Sequence, residues 1–244
     1  MAPKPILHVI ALTTAFAALI LLLASGMGSR LDVWHFRTGF TLLKYAAWLG
    51  AISAFFGGAA LVVSCRHRAW KGAVISGVAM VIGVAAFAIP WSWKQTAASL
   101  PKIHDISTDT ANPPRFVAIV QLRKDAPNPA EYGGPEIAEK QAEAYPDLKT
   151  LPLSLPPAQA FNLALETAHR MGWRVVAAVP AEGRIEASDT TFWFGFIDDI
   201  VIRVRPDGNG SLLDIRSVSR VGLSDVGTNA GRIRRFIKDF FDRN

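Results

Sequence analysis

The chain has 244 residues, half of them apolar, with 26 Lys and Arg against 20 Asp and Glu and an isoelectric point near 9.7. That excess of positive charge does not mark a nucleic-acid binder, because residues 1–100 carry +7 and residues 101–244 carry −1. The single cysteine, Cys65, excludes a disulfide framework, so any exported part of the chain must be held by its own core.

Residues 6–25, 40–64 and 72–93 form three apolar runs, each holding about the twenty residues needed to cross a hydrocarbon core, and only Lys44, near one end, is charged. The pattern predicts a three-span membrane region over residues 1–94, a linker over 95–100 and a soluble domain over 101–244. The short loop CRHRAWK (65–71) packs Arg66, Arg68 and Lys71 together and belongs on the cytoplasmic side, with Lys4 and the α-amino group. The loop of residues 26–39 and the C-terminal domain then lie outside, in the periplasm of a Gram-negative cell or on the corresponding outer face of another membrane. A cleaved signal peptide is the rival reading of the first run, with Ala24, Ser25 and Gly26 as a peptidase site. Its apolar core of about nineteen residues, however, exceeds the usual range of about 7–15.

Trp34, Trp48, Trp70, Trp91 and Trp93 lie at or near the span ends, where an indole keeps its ring apolar and its N–H wet. Gly57, Gly58, Gly72, Ser76 and Gly83 offer small residues for close helix contact, more often within one chain than across a dimer. The spans hold no Asp, Glu or Arg, and only His8 and Lys44 sit near their ends, so a transporter or proton path lacks its polar groups.

Beyond the spans, residues 100–157 are rich in proline and turn residues and read as a wrap around the domain, with one strand-like run, FVAIVQ (116–121), and a short helix at 136–144. From Pro157 the spacing of Phe161, Ala164, Leu165, Ala168 and Met171 predicts an amphipathic helix ending at Gly172. Strands come next at 173–179, 184–191, 198–205 and 211–219, with a turn at 206–210, then a helix over about 226–241 capped by Ser224 or Asp225. Parity puts Ile185, Ile200, Ile202, Val204, Leu213 and Ile215 on one side and Arg184, Glu186, Arg203, Arg205, Asp214 and Arg216 on the other. The expected fold is an open-faced α+β sandwich: an antiparallel sheet of about four strands, two helices on its apolar face, and a charged face in solvent.

That charged face has two readings. It is either a solvated surface of cross-strand ion pairs, or a recognition surface in which Arg184, Arg203, Arg216 and Arg220 hold a carboxylate or phosphate of an anionic lipid or glycan; Asp214 and Glu186 would neutralise part of such a site. Four aromatics in the five residues FWFGF (192–196) form either core or a tip in which Trp193, Phe194 and Phe196 touch the membrane interface or a partner. His104 with Asp105 and Asp109 offers a hydrolase-type acid–base group, though one histidine among loop carboxylates is more commonly a hydrogen-bonded turn. Ser224 and Asp225 read as a helix cap. No ligand spacing for a metal and no phosphate-binding loop appears, so no cofactor is expected.

The stretches PKIHDISTDTANPPRF (101–116), YPD (145–147), GRIEA (183–187), FGFIDD (194–199) and DIRSVSRVGLSDVGTNAGRIR (214–234) resemble the bacterial and plastid proteins grouped as domain of unknown function 1499 (DUF1499). Several members resemble this chain in carrying a multi-span N-terminal portion. The resemblance implies no activity, cofactor or catalytic residue. Together these features predict a multi-pass protein of the bacterial inner membrane with a periplasmic domain that acts by binding, in envelope maintenance or assembly. Its partners would be the bilayer itself and an anionic lipid, a glycan or another envelope protein. A hydrolase and a membrane scaffold are the alternatives.

Overall fold

The structure, a computed structural model, describes residues 6–242; Lys4, which enters the orientation argument, and Asn244 lie outside the described residues. Contacts divide the chain into two units, one of residues 1–96 with Phe192–Gly195, the other of Ala97–Thr191 and Phe196–Asn244.

The first unit is built on α1 (Ile6–Arg30), α2 (Phe36–Arg66) and α3 (Trp70–Ser99). At about 1.5 Å per residue each exceeds the ~30 Å hydrocarbon thickness, and all three are long and apolar enough to cross a membrane. α3 continues through Ser99, across most of the stretch read as a linker. Their packing inverts that of a water-soluble bundle. Ala11, Ala15 and Ala18 of α1, Ala46, Gly50, Ser53, Gly57 and Ala60 of α2, and Ser76, Ala79, Gly83 and Ala86 of α3 are buried, while Phe16, Trp48, Phe55, Val74 and Val81 point outward. Small residues inside and large apolar residues outside are the arrangement for a lipid solvent, where close backbone approach rather than water exclusion holds helices together. At the α2–α3 crossing a Cβ on Gly83 would lie 2.6 Å from both Ala54 N and Gly50 O, so only glycine fits. Nearby the Ser53 hydroxyl reaches Ala11 O and Ala79 O, each at 3.0 Å, linking the three helices through one polar atom.

Phe192–Gly195 cluster with these helices. The Trp193 indole fills the space a side chain at Gly26 would need and donates to Leu23 O at 3.3 Å. The buried Phe194 ring lies 5.1 Å from Phe40, and Arg30 donates to Phe192 O at 2.7 Å.

The second unit is an α+β domain. Its antiparallel sheet has the order β1-β6-β5-β4-β3, from β1 (Asp105–Ser107), β3 (Arg174–Val179), β4 (Arg184–Thr190), β5 (Ile197–Asp207) and β6 (Gly210–Ser219), and β2 (Leu151–Leu153) also pairs with β6. The sheet therefore has six strands, not four. The two missed strands are three residues long, too short for an alternation signal, and lie in the proline-rich segment. β5 and β6 close on Gly208 and Asn209, a two-residue hairpin with Gly208 at φ 55°. The strand expected at 116–121 is instead a 3-10 helix over Ile119–Arg123. Its amides explain why, since the Glu186 carboxylate accepts the N–H groups of Val117, Ala118 and Ile119 at 2.9–3.1 Å, favouring a helical start.

α4 (Pro135–Ala144), α5 (Pro157–Arg170) and α6 (Thr228–Phe241) complete the domain. α5 and α6 cover the face of Ile185, Ile200, Ile202, Val204, Leu213 and Ile215, and Trp173 stacks on Phe236 at 5.5 Å in that core. Each of these buried aliphatic side chains contributes about 1.5–3 kcal/mol. The opposite face is not in solvent as expected. Phe116 and Ile119 pack there on Val201 and Val218, and Glu186, Asp199, Asp214 and Arg216 are each 2% exposed or less. The proline-rich wrap makes a third layer over a face that parity alone left bare.

Candidate functional site

The covered face is a set of linked ion pairs, and its arrangement decides which charges remain available. Arg216 projects from β6 and grips Asp105 of β1 with two bonds of 2.8 and 2.7 Å. Its remaining donors reach Pro114 O at 3.2 Å and Ala130 O at 2.9 Å, while Phe116 and Tyr132 stack on the guanidinium at 5.1 and 5.4 Å. One arginine thus fixes the wrap at several points. Burial pushes the Tyr132 hydroxyl up to about 12.

Asp199 of β5 is the second node. It accepts from Arg123 at 3.0 Å, from Arg220 at 2.8 and 2.9 Å and from Ser188 at 2.7 Å. Arg123 also donates to Asn128 O and Pro129 O, so the 3-10 helix and the loop after it are tied to the sheet. Asp214, fully buried, takes Arg203 and Arg205 at 2.8 Å each and Thr150 at 2.6 Å. Arg184 pairs with Glu182 and Glu186. Buried charges persist where such partners are supplied, and six arginines here face six carboxylates; of their buried nitrogens only the Nε atoms of Arg123 and Arg205 are left without a partner among the described residues.

Of the four arginines predicted to bind a ligand, Arg216 is 2% exposed and Arg220 is committed to Asp199 and Leu122 O. Arg184 and Arg203 differ. They line a cleft of about 240 Å³ with Asn112, Pro113, Arg115, Val117 and Glu182. Arg203 is held by Asp214, Asp109 and Asn112 O through its Nε and Nη2 atoms, leaving Nη1 outside these bonds. Arg115 is exposed and makes no ion pair among the described residues. A second groove of about 410 Å³, at the start of α5, is lined by Pro157, Phe161, Pro180, Val204 and Pro206 and offers only Glu182 and Arg205 as charges.

His104, Asp105 and Asp109 do not converge. Asp105 belongs to Arg216, and Asp109 accepts Asn112 N at 2.9 Å and Arg203 at 3.0 Å as part of a turn. Burial lowers the His104 pKa, partly offset by Asp105 and by a bond with the Leu223 backbone. Among the described residues no three His, Cys, Asp or Glu side chains gather around a metal-sized point. Trp193 and Phe194 sit with the helices, whereas Phe196 closes the β4–β5 turn by exchanging bonds of 2.8 and 2.9 Å with Thr191. The N-cap of α6 is Gly227, not Ser224 or Asp225; Asp225, two residues earlier, accepts Gly227 N at 3.2 Å and Asn229 N at 2.6 Å, although burial raises its pKa.

A family model described as "Protein of unknown function (DUF1499)" matches residues 105–240. The chain belongs to this family. Its match takes in the whole sheet and nearly all of α6, and no curated protein matches the chain. Within the DUF1499 domain, sequence reasoning missed Arg123, Asp198, Asp199 and Arg232. Arg232 of α6 reaches Asp198 at 2.6 Å and Asp189 at 2.9 Å beside a Ser217–Asn229 bond, tying helix to sheet on the apolar side. The available signal was FIDD: two acids followed at once by the apolar run Ile200, Val201 and Ile202 at the head of a strand require buried cations somewhere in the chain.

Proposed function

We propose that this DUF1499 protein is a multi-pass protein of the bacterial inner membrane whose periplasmic domain works in the envelope by binding an anionic group of a lipid, a glycan or a partner protein. Three apolar helices support the membrane setting, and the Arg66, Arg68 and Lys71 turn supports the orientation, since short basic loops stay cytoplasmic and the third span then exports the C-terminal domain. The observation that carries the binding reading is the cleft of Arg115, Arg184 and Arg203. Two of its guanidiniums are fixed from behind by Glu186 and Asp214, so little side-chain entropy remains to be lost on binding, and Arg115 supplies a charge with no carboxylate partner among the described residues. A carboxylate or phosphate monoester matches the planar forks and the modest volume. The centre of the sheet is poorly suited to this role, because Arg123, Arg216 and Arg220 are bonded to Asp199 and Asp105 within the domain.

The test is calorimetric titration of the full chain in detergent with glycerol 3-phosphate and with galacturonate, the two headgroup chemistries. Saturable binding of at least one, weakened about tenfold or more by Arg115→Gln and by added salt, supports the reading. Absence of binding by either, or binding indifferent to Arg115, refutes it.

A further inference from the structure

The turn between α2 and α3 carries a different charge arrangement from that of the sheet. Arg66, Arg68 and Lys71 are all exposed, and none has an acidic partner among the described residues. The one acid in residues 1–100, Asp32, lies in the turn before α2, and that helix is 31 residues long. At about 1.5 Å per residue its two ends are roughly 45 Å apart, several Debye lengths even at physiological salt. The three cations are therefore uncompensated within the helical unit.

They are also held in place. His67 N bonds Val63 O at 3.1 Å, Arg68 N bonds Cys65 O at 3.1 Å and Ala69 N bonds Ser64 O at 2.9 Å, closing the turn tightly. Arg68 itself has φ 52°, a left-handed conformation that a non-glycine residue adopts at a cost and that turns its side chain out of the helical path. The first turn of α3 adds the positive end of its dipole. Beside this charge lies apolar surface that none of the described residues covers: Trp70 is 77% exposed, Val74 64% and Val62 52%.

We propose that this turn holds an anionic phospholipid, its phosphate among Arg66, Arg68 and Lys71 and its acyl chains along Trp70, Val74 and Val62. A soluble phosphate would satisfy the cations but leave the apolar flank unused, whereas a phospholipid satisfies both, and the turn joins two helices fit to cross a membrane. The proposal draws on none of the Arg115 cleft residues and does not depend on that reading.

The experiment is native mass spectrometry of the full chain released from detergent after addition of phosphatidylglycerol or phosphatidylcholine. Phosphatidylglycerol should be retained preferentially, each of Arg66→Gln, Arg68→Gln and Lys71→Gln should weaken retention about fivefold, and Arg37→Gln at the other end of α2 should not. Excess inorganic phosphate should fail to displace the lipid. Equal retention of the two lipids, loss by Arg37→Gln as large as by the turn variants, or displacement by phosphate alone would each overturn the proposal. Each single substitution keeps two of the three cations, so the loop stays basic and the chain keeps its orientation in the membrane.

Discussion

Replacing Asp105 by Asn isolates the ion pair that fastens the wrap. The side chains of Asp105 and Arg216 are 5% and 2% exposed, so Asn leaves the guanidinium buried with its charge uncompensated, a loss of about 3–5 kcal/mol. Arg216→Met should cost more, because it also strips Pro114 O and Ala130 O of their donor, at about 1–3 kcal/mol for each buried acceptor left unsatisfied. Combining Asp105→Leu with Arg216→Met should be milder than the sum of the single changes, since no lone charge remains while the orphaned carbonyls do. Pulse proteolysis of the full chain in detergent across a urea series, read by peptide mass spectrometry, reports the domain separately from the helices. A loss under about 1 kcal/mol for Asp105→Asn, as an exposed pair would give, would refute the burial of this face.

Other consequences are direct. Gly26→Leu and Trp193→Ser attack the same slot from opposite sides, so both should lower the thermal stability of the helical unit in detergent; an unchanged Trp193→Ser variant would contradict that packing. His104 has a folded pKa below its unfolded value, so its contribution to stability is present above about pH 6.5 and is lost as pH falls through the folded pKa. His104→Gln should therefore keep the domain folded and flatten the fall in its stability as pH drops below about 6.5, whereas an unchanged slope would assign that slope to other groups. A periplasm-active reporter fused after residue 244 should be active and a cytoplasm-active one silent, and the opposite pattern would reverse the orientation.

Local periodicity made the domain's regular elements legible, because Ile200, Ile202 and Val204 alternate cleanly and Phe161, Ala164 and Ala168 recur at helical spacing; both α5 and the four longer strands lie within two residues of their expected positions. Parity also assigned the faces correctly, and the error was to equate a charged face with a wet one. Asp199 and Arg123 are 76 residues apart in sequence and Asp105 and Arg216 are 111 apart, and no local pattern reports such pairings. The strand expected at 116–121 failed for a related reason, since the Glu186 carboxylate that sets its backbone comes from β4. The small-residue seams of α1, α2 and α3 were visible as single glycines and serines, but the contribution of Ser53, whose hydroxyl reaches two other helices, depends on how the three helices pack.

The binding reading turns on what meets the Arg115 cleft in an intact membrane. A photo-crosslinking residue in place of Val117, 57% exposed and lining that cleft, can be compared in living cells with one in place of Arg174, exposed on β3 and outside the cleft. The account predicts that the Val117 position captures an anionic lipid, glycan or protein, that Arg115→Gln abolishes the capture, and that the Arg174 position does not share it. Equal capture at both positions, or capture that survives Arg115→Gln, would contradict it.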